Sequence, residues 1–335
     1  MARRDRTTGL PRPRPRNANK SQGRFAFGET AQIRAVWIAG GLLIALLLGL
    51  LGYKWVNSQF IHPNKTVLTV GEQKFSLSYY TDRLFLSAQA NSGSGANVSI
   101  LEQTLFTDLE NEAISRIIAE ERGITVTDEE ITAEIASQLG VPVGGAGSSF
   151  DTLYRQRLRT VLMSDDAYRR YTEAQVWVNK LKDALSEEIG DKGELITIKG
   201  VVSASKEDAD AVLARVKGGE DLGSVAQSDS TDLTSRQNNG VFDPEPARLL
   251  PDNVRAAIEG KPEGSELLGP IEVSGNYWVF RIEKRDPEGV YTETQKSQLA
   301  DLALADAVKD KRPQVNIKRT INNDDYNWVN DHVGK

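Results

Sequence analysis

Few side chains in this sequence are of the types that perform covalent or metal chemistry. Cysteine is absent, which excludes thiol nucleophiles, zinc thiolate sites and disulfide frameworks. There are two histidines: His62 follows a hydrophobic segment, and His332 lies close to the C-terminus. A histidine-based triad or metal site is therefore not expected. We predict that the protein has no metal and no cofactor.

The remaining candidates for catalysis are a serine–lysine pair and several paired carboxylates. Ser203 and Lys206 have the S-x-x-K spacing of serine acyl-transfer enzymes, in which both residues lie on one helical turn. Here Ser203 precedes the predicted helix, and the chain has no SDN or KTG element. Pairs such as Glu129–Glu130 are expected on the solvated faces of helices. We assign no catalytic residue.

The N-terminal 34 residues differ sharply in charge from the rest of the chain. They contain nine Arg or Lys residues and two acidic residues, a net charge of +7, whereas the whole chain carries -6. Everything after Arg34 therefore carries -13, which argues against nucleic acid as a partner. The run "PRPRPR" cannot pack into a core. We predict a disordered basic cytoplasmic tail over 1–34.

An uncharged segment follows this tail, "AVWIAGGLLIALLLGLLGYKW" over 35–55. Nineteen residues without charge lie between Arg34 and Lys54, and as a helix they would extend roughly 28 Å, enough for a bilayer core. A cleaved signal peptide is the alternative, but its apolar region is normally about 7 to 15 residues long. We predict an uncleaved transmembrane helix with the N-terminus in the cytoplasm and the remainder outside.

Small residues recur every four positions along this segment, at Gly41, Ala45 and Gly49. Such a stripe can pair two membrane helices, although glycine is common in membrane helices in general. A homodimer is thus one prediction that the sequence leaves open.

The region 65–190 is predicted to be mainly helical. Ser99 with Glu102, and Thr127 with Glu130, have the spacing of capping boxes ahead of apolar residues that repeat every four positions. Gly123 is placed to end the first of these helices. Helices around a loose groove can bury their apolar faces in a core or expose them to a client polypeptide.

From Gly190 onward the pattern changes to short strands mixed with short helices. The predicted elements are strand "LITIKGVVS", a helix over 206–217, a helix near Asp221, and strands "LLGPIEV" and "YWVFRIE". This order predicts an α+β domain over 194–286 with a small antiparallel sheet. A helix is predicted within 291–320, and the segment 321–335 is a polar tail.

The order and spacing of these elements resemble the parvulin-type (PpiC) family of peptidyl-prolyl isomerases. The resemblance lies in "DADAVLARVKGGEDLGSVAQSDSTD", the "NNG" turn and "LLPDNVRAAIEGKPEGSELLGPIEVSGNYWVFRIEKRD". The flanking helices resemble the SurA, PrsA and PpiD group of extracytoplasmic folding factors. That resemblance implies a SurA-like helical chaperone domain, to which the C-terminal helix returns, with the parvulin-like domain as an insertion.

The resemblance also implies a degenerate active site. Active parvulins carry one histidine in the first strand and another in the last, and the corresponding residues here are Gly200 and Trp278. The family's acidic or cysteine position corresponds to Val241, with Asp243 two residues later. The apolar pocket residues correspond to Leu249 or Leu250 and to Val254. These seven residues are the predicted peptide-binding site.

Two functions remain open from the sequence. One is a membrane-anchored extracytoplasmic peptidyl-prolyl isomerase that binds unfolded or proline-containing exported polypeptides. The other is a non-catalytic holdase or scaffold whose parvulin-like domain only binds peptide or a partner. A membrane-anchored assembly subunit without clients is a third and weaker alternative.

Overall fold

The computed structural model describes residues 29–56, 61–91 and 98–333. The chain divides into two compact units, one that ends at Ile61 and one that begins at His62. Helix α1 spans Glu29–Val56 and starts six residues before the predicted membrane segment. No helix within the described ranges meets the length and apolarity of a candidate membrane span. Of the tail predicted over 1–34, residues 1–28 lie outside the described residues, and residues 29–34 belong to α1.

The second unit contains a helical part and a small three-stranded sheet. The sheet has the order β2-β1-β7 with antiparallel pairs, and its strands are β1 (Thr66–Val70), β2 (Gln73–Ser76) and β7 (Ile317–Arg319). The helices are α2 (Leu77–Ala90), α3 (Val98–Glu121), α4 (Asp128–Leu139), α5 (Ser149–Val161), α6 (Asp165–Ile189), α11 (Glu293–Lys311) and α12 (Asn323–His332). The last strand and the last two helices thus return from the far end of the sequence.

Local signals in the sequence account for several of these helix ends. The predicted capping box of α4 is confirmed, because the Thr127 hydroxyl accepts the Glu130 N–H and the Glu130 carboxylate accepts the Thr127 N–H. Gly123 follows α3 with a φ of +74°, a conformation that favours glycine. Helix α3 begins at Val98, and the predicted cap Ser99 lies inside it.

The core of the helical part joins segments that are distant in the sequence. Leu109 and Ile114 of α3, Leu181 of α6 and Val308 of α11 belong to one buried cluster. A charged contact reinforces this arrangement, because the buried Glu110 carboxylate accepts hydrogen bonds at 2.6 Å from both Arg312 and Arg319. The chain after α11 is therefore held to α3.

The remaining elements form the predicted α+β domain. Its four-stranded sheet has the order β4-β3-β6-β5, and every pair is antiparallel as predicted. The strands are β3 (Lys192–Ser203), β4 (Glu245–Pro246), β5 (Leu268–Val273) and β6 (Asn276–Val290). The helices are α7 (Lys206–Lys217), α8 (Leu222–Asp229), α9 (Leu233–Gln237) and α10 (Asp252–Ile258). Helix α9 is short, and the Asp232 side chain caps its N-terminus.

Helices cover both faces of this sheet. Val279 points to the face packed by Val212 of α7 and Val225 of α8, whereas Phe280 points to the face packed by Val254 of α10. The strand predicted at "YWVFRIE" is therefore confirmed, and its neighbouring residues Val279 and Phe280 are buried on opposite faces of the sheet. The face of Phe280 also carries the predicted site.

Candidate functional site

A wide cleft lies between the four-stranded sheet and α11. Its volume is about 1480 Å³, and we call it the sheet–α11 cleft. The residues that line it are Ile196, Ile198, Asp232, Thr234, Phe242, Asp243, Glu245, Ala247, Arg248, Leu249, Leu250, Pro251, Asp252, Arg255, Trp278, Gln298, Asp301, Leu302, Asp306 and Lys309. Four of the seven predicted site residues are among them: Asp243, Leu249, Leu250 and Trp278.

Gly200 does not line the cleft, and its surroundings leave no room for a side chain. A Cβ atom at this position would lie 2.5 Å from the Phe280 Cβ, 2.6 Å from the Val279 carbonyl oxygen and 2.9 Å from the Phe280 Cα. The Gly200 N–H donates to the Gly240 carbonyl at 2.8 Å. The backbone of β6 thus occupies the space into which a histidine side chain at this position would project.

Trp278 does line the cleft and makes a specific aromatic contact there. Its ring stacks on Phe242, with ring centroids 5.0 Å apart and an interplanar angle of 17°. The two side chains are partly buried against the core of this sheet face. The position corresponding to the second parvulin histidine therefore holds one half of an aromatic stack.

Phe242 is a site residue that the sequence reasoning missed. It lies between the predicted residues Val241 and Asp243, and its N–H donates to the Ile198 carbonyl at 2.9 Å. An aromatic residue between two mapped pocket positions was the available signal. The predicted strand "VFD" is only a single antiparallel bridge between Lys199 and Val241.

Two further predicted residues lie outside the cleft lining. Val241 is held beside β3 by its bridge to Lys199. Val254 is fully buried in the core under α10. Val254 therefore packs behind the cleft wall, with Leu250 in the same buried cluster.

The opposite wall is formed by α11, which is tied directly to the loop before α10. The Gln295 amide donates to the Pro244 carbonyl at 2.8 Å and, at 3.4 Å, to the Glu245 carboxylate. Arg248 forms an ion pair with Asp306 of α11. These contacts join the two walls at Gln295 and again about three helical turns further along α11 at Asp306.

A second groove lies along α11 and has a volume of about 670 Å³. Asp301 and Lys309 line both cavities, so the groove and the cleft meet at α11. Buried Arg83 borders the groove and forms a bidentate ion pair with Glu112, with nitrogen–oxygen distances of 2.9 and 2.7 Å. Leu304 and Val308 supply its apolar surface.

The side chains of the cleft are suited to binding rather than to covalent chemistry. Its lining contains no histidine or cysteine, and no group of three or more His, Cys, Asp or Glu side chains in the described parts of the chain is arranged to hold a metal ion. Phe242, Leu249, Leu250, Trp278 and Leu302 provide apolar surface. Such a surface, rimmed by polar groups, is typical of a peptide-binding groove.

Comparison with known proteins identifies relatives of the chain. Residues 27–182 match the family model of the SurA-like N-terminal domain. The chain is 22% identical to the chaperone SurA of Pseudomonas putida over 293 residues, which cover 72% of this chain and 68% of that protein. It is 21% identical to a parvulin-like PPIase of Rickettsia bellii over 250 residues, which cover 62% of this chain and 86% of that protein.

The matches to chaperone SurA chains span 61% to 68% of the length of those proteins. Among solved structures, the peptidylprolyl isomerase PrsA from Bacillus anthracis aligns with a TM-score of 0.43 at 15% identity, covering 64% of this chain and 99% of that one. The sequence matches join a SurA-like helical part to parvulin-type relatives, as the resemblance implied. Over residues 27–182 the chain therefore resembles the SurA-like N-terminal domain, and its sequence relatives are SurA, PrsA and parvulin-like proteins.

Proposed function

We propose that this protein is a folding factor that binds unfolded exported polypeptides, and that its parvulin-like domain is a peptide-binding module without efficient isomerase activity. The observation that supports this most directly is the state of the two histidine positions. Gly200 faces the backbone of β6 with no space for a side chain. Trp278 is engaged in a stack with Phe242. Neither position supplies an imidazole to a prolyl peptide.

The apolar part of the cleft supports the alternative, a slow isomerase. Prolyl isomerisation forms no covalent intermediate, and its uncatalysed barrier is about 18 to 20 kcal/mol. A groove that holds the proline ring and favours the twisted amide lowers that barrier without a histidine. Leu249, Leu250 and Trp278 would form such a groove.

The test is a pair of assays on the full chain. A protease-coupled prolyl isomerisation assay measures catalysis, and suppression of aggregation of an unfolded client measures binding. Leu249→Ala and Trp278→Ala remove apolar surface from the cleft, and Val290→Ala is the matched control because Val290 is 64% exposed and outside the cleft. Burial of a large apolar side chain by a client is worth about 1.5 to 3 kcal/mol, so each cleft variant should weaken client binding by about tenfold or more, and suppression should fall with it.

Suppression without acceleration of isomerisation, lost in the cleft variants and kept in Val290→Ala, is the expected result. Acceleration that disappears in Trp278→Ala would instead identify an isomerase with a rebuilt site. Failure of the wild-type protein in both assays would refute the folding-factor proposal.

We also propose that residues 35–55 anchor the protein in the cell membrane, with the C-terminal domains outside the cytoplasm. The support is the uncharged run between Arg34 and Lys54 and the basic residues that precede it. Pairing of two such helices through Gly41, Ala45 and Gly49 stays a prediction. Membranes from cells that express the full chain should retain it after alkaline carbonate extraction, whereas Leu46→Arg combined with Leu47→Arg should release it. A soluble product shortened at its N-terminus would contradict the anchor and indicate a cleaved signal peptide.

A further inference from the structure

The walls of the sheet–α11 cleft carry more negative than positive charge. Six of the lining residues are Asp or Glu and three are Arg or Lys. Two of these cations already pair inside the cleft, Arg248 with Asp306 and Arg255 with Asp252. The third cation, Lys309, lies on α11. Four lining carboxylates therefore remain to be accounted for.

Two of the four carboxylates have partners elsewhere. Asp301 forms an ion pair with Lys182 at 2.6 Å, and Asp232 caps the N-terminus of α9. The other two, Asp243 and Glu245, have no salt bridge to any residue within 29–56, 61–91 and 98–333. They lie on the loop that α11 holds in place through Gln295. Asp243 and Glu245 are thus the lining carboxylates that, within the described residues, neither form a salt bridge nor cap a helix.

The electrostatics of this loop show that its charges are not compensated. Burial raises the pKa of Glu245 above its ordinary value, and the negative charge of Asp243 raises it further, while the hydrogen bond from Gln295 lowers it. A neighbouring cation would favour the ionised form of Glu245. The free protein therefore leaves a place where an added positive charge is stabilised.

The aromatic stack is located beside these carboxylates. Phe242 precedes Asp243 in the chain, and its ring lies against Trp278 in the floor of the cleft. A Lys or Arg side chain has an apolar stem that packs on such rings and a charged end that reaches a carboxylate. Leu249 and Leu250 continue the apolar floor. The cleft thus combines an acidic rim with an apolar base.

We propose that the sheet–α11 cleft selects segments of unfolded polypeptide in which a Lys or Arg residue neighbours an apolar or prolyl residue. Asp243 and Glu245 receive the cation, and the Phe242–Trp278 stack with Leu249 receives the apolar side chain. This inference rests on the proposed function, because it names the class of segment that the proposed binding site recognises. Charge complementarity gives the preference for segments with Lys or Arg, and apolar burial contributes affinity for every segment that has an apolar residue.

The experiment measures binding of fluorescent peptides to the full chain by anisotropy. Three peptides share one apolar core with a central proline and differ only in their flanks, which are Lys, Gln or Glu. The variant Asp243→Asn with Glu245→Gln removes the two charges and keeps the side-chain shapes. Its matched control is Glu259→Gln with Glu272→Gln, which makes the same change in net charge at exposed residues outside the cleft. Asp243→Asn alone serves as a second variant that leaves the contact with Gln295 intact.

At low salt the wild type should bind the Lys-flanked peptide about tenfold more tightly than the Glu-flanked peptide, with the ratio falling as salt is raised. The double cleft variant should lose most of this ratio, and the control should keep it. Equal binding of all three peptides by the wild type, or a preference that survives in both cleft variants, would overturn the inference and leave the proposed function standing. Absence of any binding, together with absence of aggregation suppression, would overturn both.

Discussion

Replacing Gly200 with alanine tests whether the first histidine position of the parvulin site has been closed by packing. The added methyl group would lie 2.5 Å from the Phe280 Cβ, 2.6 Å from the Val279 carbonyl oxygen and 2.9 Å from the Phe280 Cα. All three atoms belong to the backbone or to the Cβ of β6, so none can move away by rotating a side chain. Accommodation requires the central strands β3 and β6 to separate.

The expected cost follows from this geometry. Overpacking of a well-packed core typically costs about 1 to 3 kcal/mol. We expect about 2 to 3 kcal/mol for Gly200→Ala, because the contacts fall on the strand pair that holds the whole sheet and Phe280 beside it is fully buried. Gly145→Ala is the matched control, since a Cβ there meets no heavy atom within 4 Å. Its effect should lie within about 0.5 kcal/mol of zero.

The assay is urea-induced unfolding followed by far-UV circular dichroism and tryptophan fluorescence. Trp278 is the sole tryptophan between residues 192 and 290, so a change confined to this domain is visible in its emission. Gly200→Ala should lower the midpoint without changing the slope of the transition by much. Gly145→Ala should overlay the wild type.

A Gly200→Ala variant as stable as the wild type would refute the reasoning, because it would show that β3 and β6 can open at little cost. An activity measurement could also refute the reasoning. If Gly200→His folded and accelerated prolyl isomerisation, the position would have room for a catalytic histidine. We expect the histidine variant to be less stable than the alanine variant and to give no acceleration.

One half-buried and one buried carboxylate give further predictions. Burial raises the pKa of Asp82 from 3.8 to about 6. Between these pH values the folded chain binds more protons than the unfolded chain, so the free energy of unfolding should fall as the pH rises. Asp82→Asn should therefore raise the free energy of unfolding by about 2 kcal/mol at about pH 7 and change it little at about pH 3.5, and an equal effect at both would contradict the burial argument. Burial also opposes ionisation of Glu110, but hydrogen bonds from Arg319 and Arg312 outweigh it and hold its pKa below the ordinary value. Glu110→Ala should lower the free energy of unfolding by about 2 kcal/mol, an effect lost as pH falls below about 4.5, and Glu110→Gln should cost less because it retains a hydrogen-bond acceptor. No loss of stability in Glu110→Ala would show that the last strand is held to α3 by apolar packing alone.

The elements that local sequence determines were predictable. Thr127 and Glu130 form their capping box from residues three positions apart, and Gly123 adopts its positive φ to end α3, so both depend on neighbours in the chain. The alternation of β6 similarly gives its two faces, and Lys206–Lys217 form α7 as predicted. The α+β class follows from such patterns, because periodicity reports which face of each element is apolar.

The site depended on contacts between residues far apart in the sequence. The closure at Gly200 is caused by Phe280 across the sheet, and the value of Trp278 as a binding surface depends on its stack with Phe242. The cleft exists only because α11 returns to face the loop that Gln295 holds. No local pattern encodes these distances, since they arise when separate strands and helices pack against each other. The residue types of the site were therefore set by the sequence, whereas their availability for binding was decided by the tertiary structure.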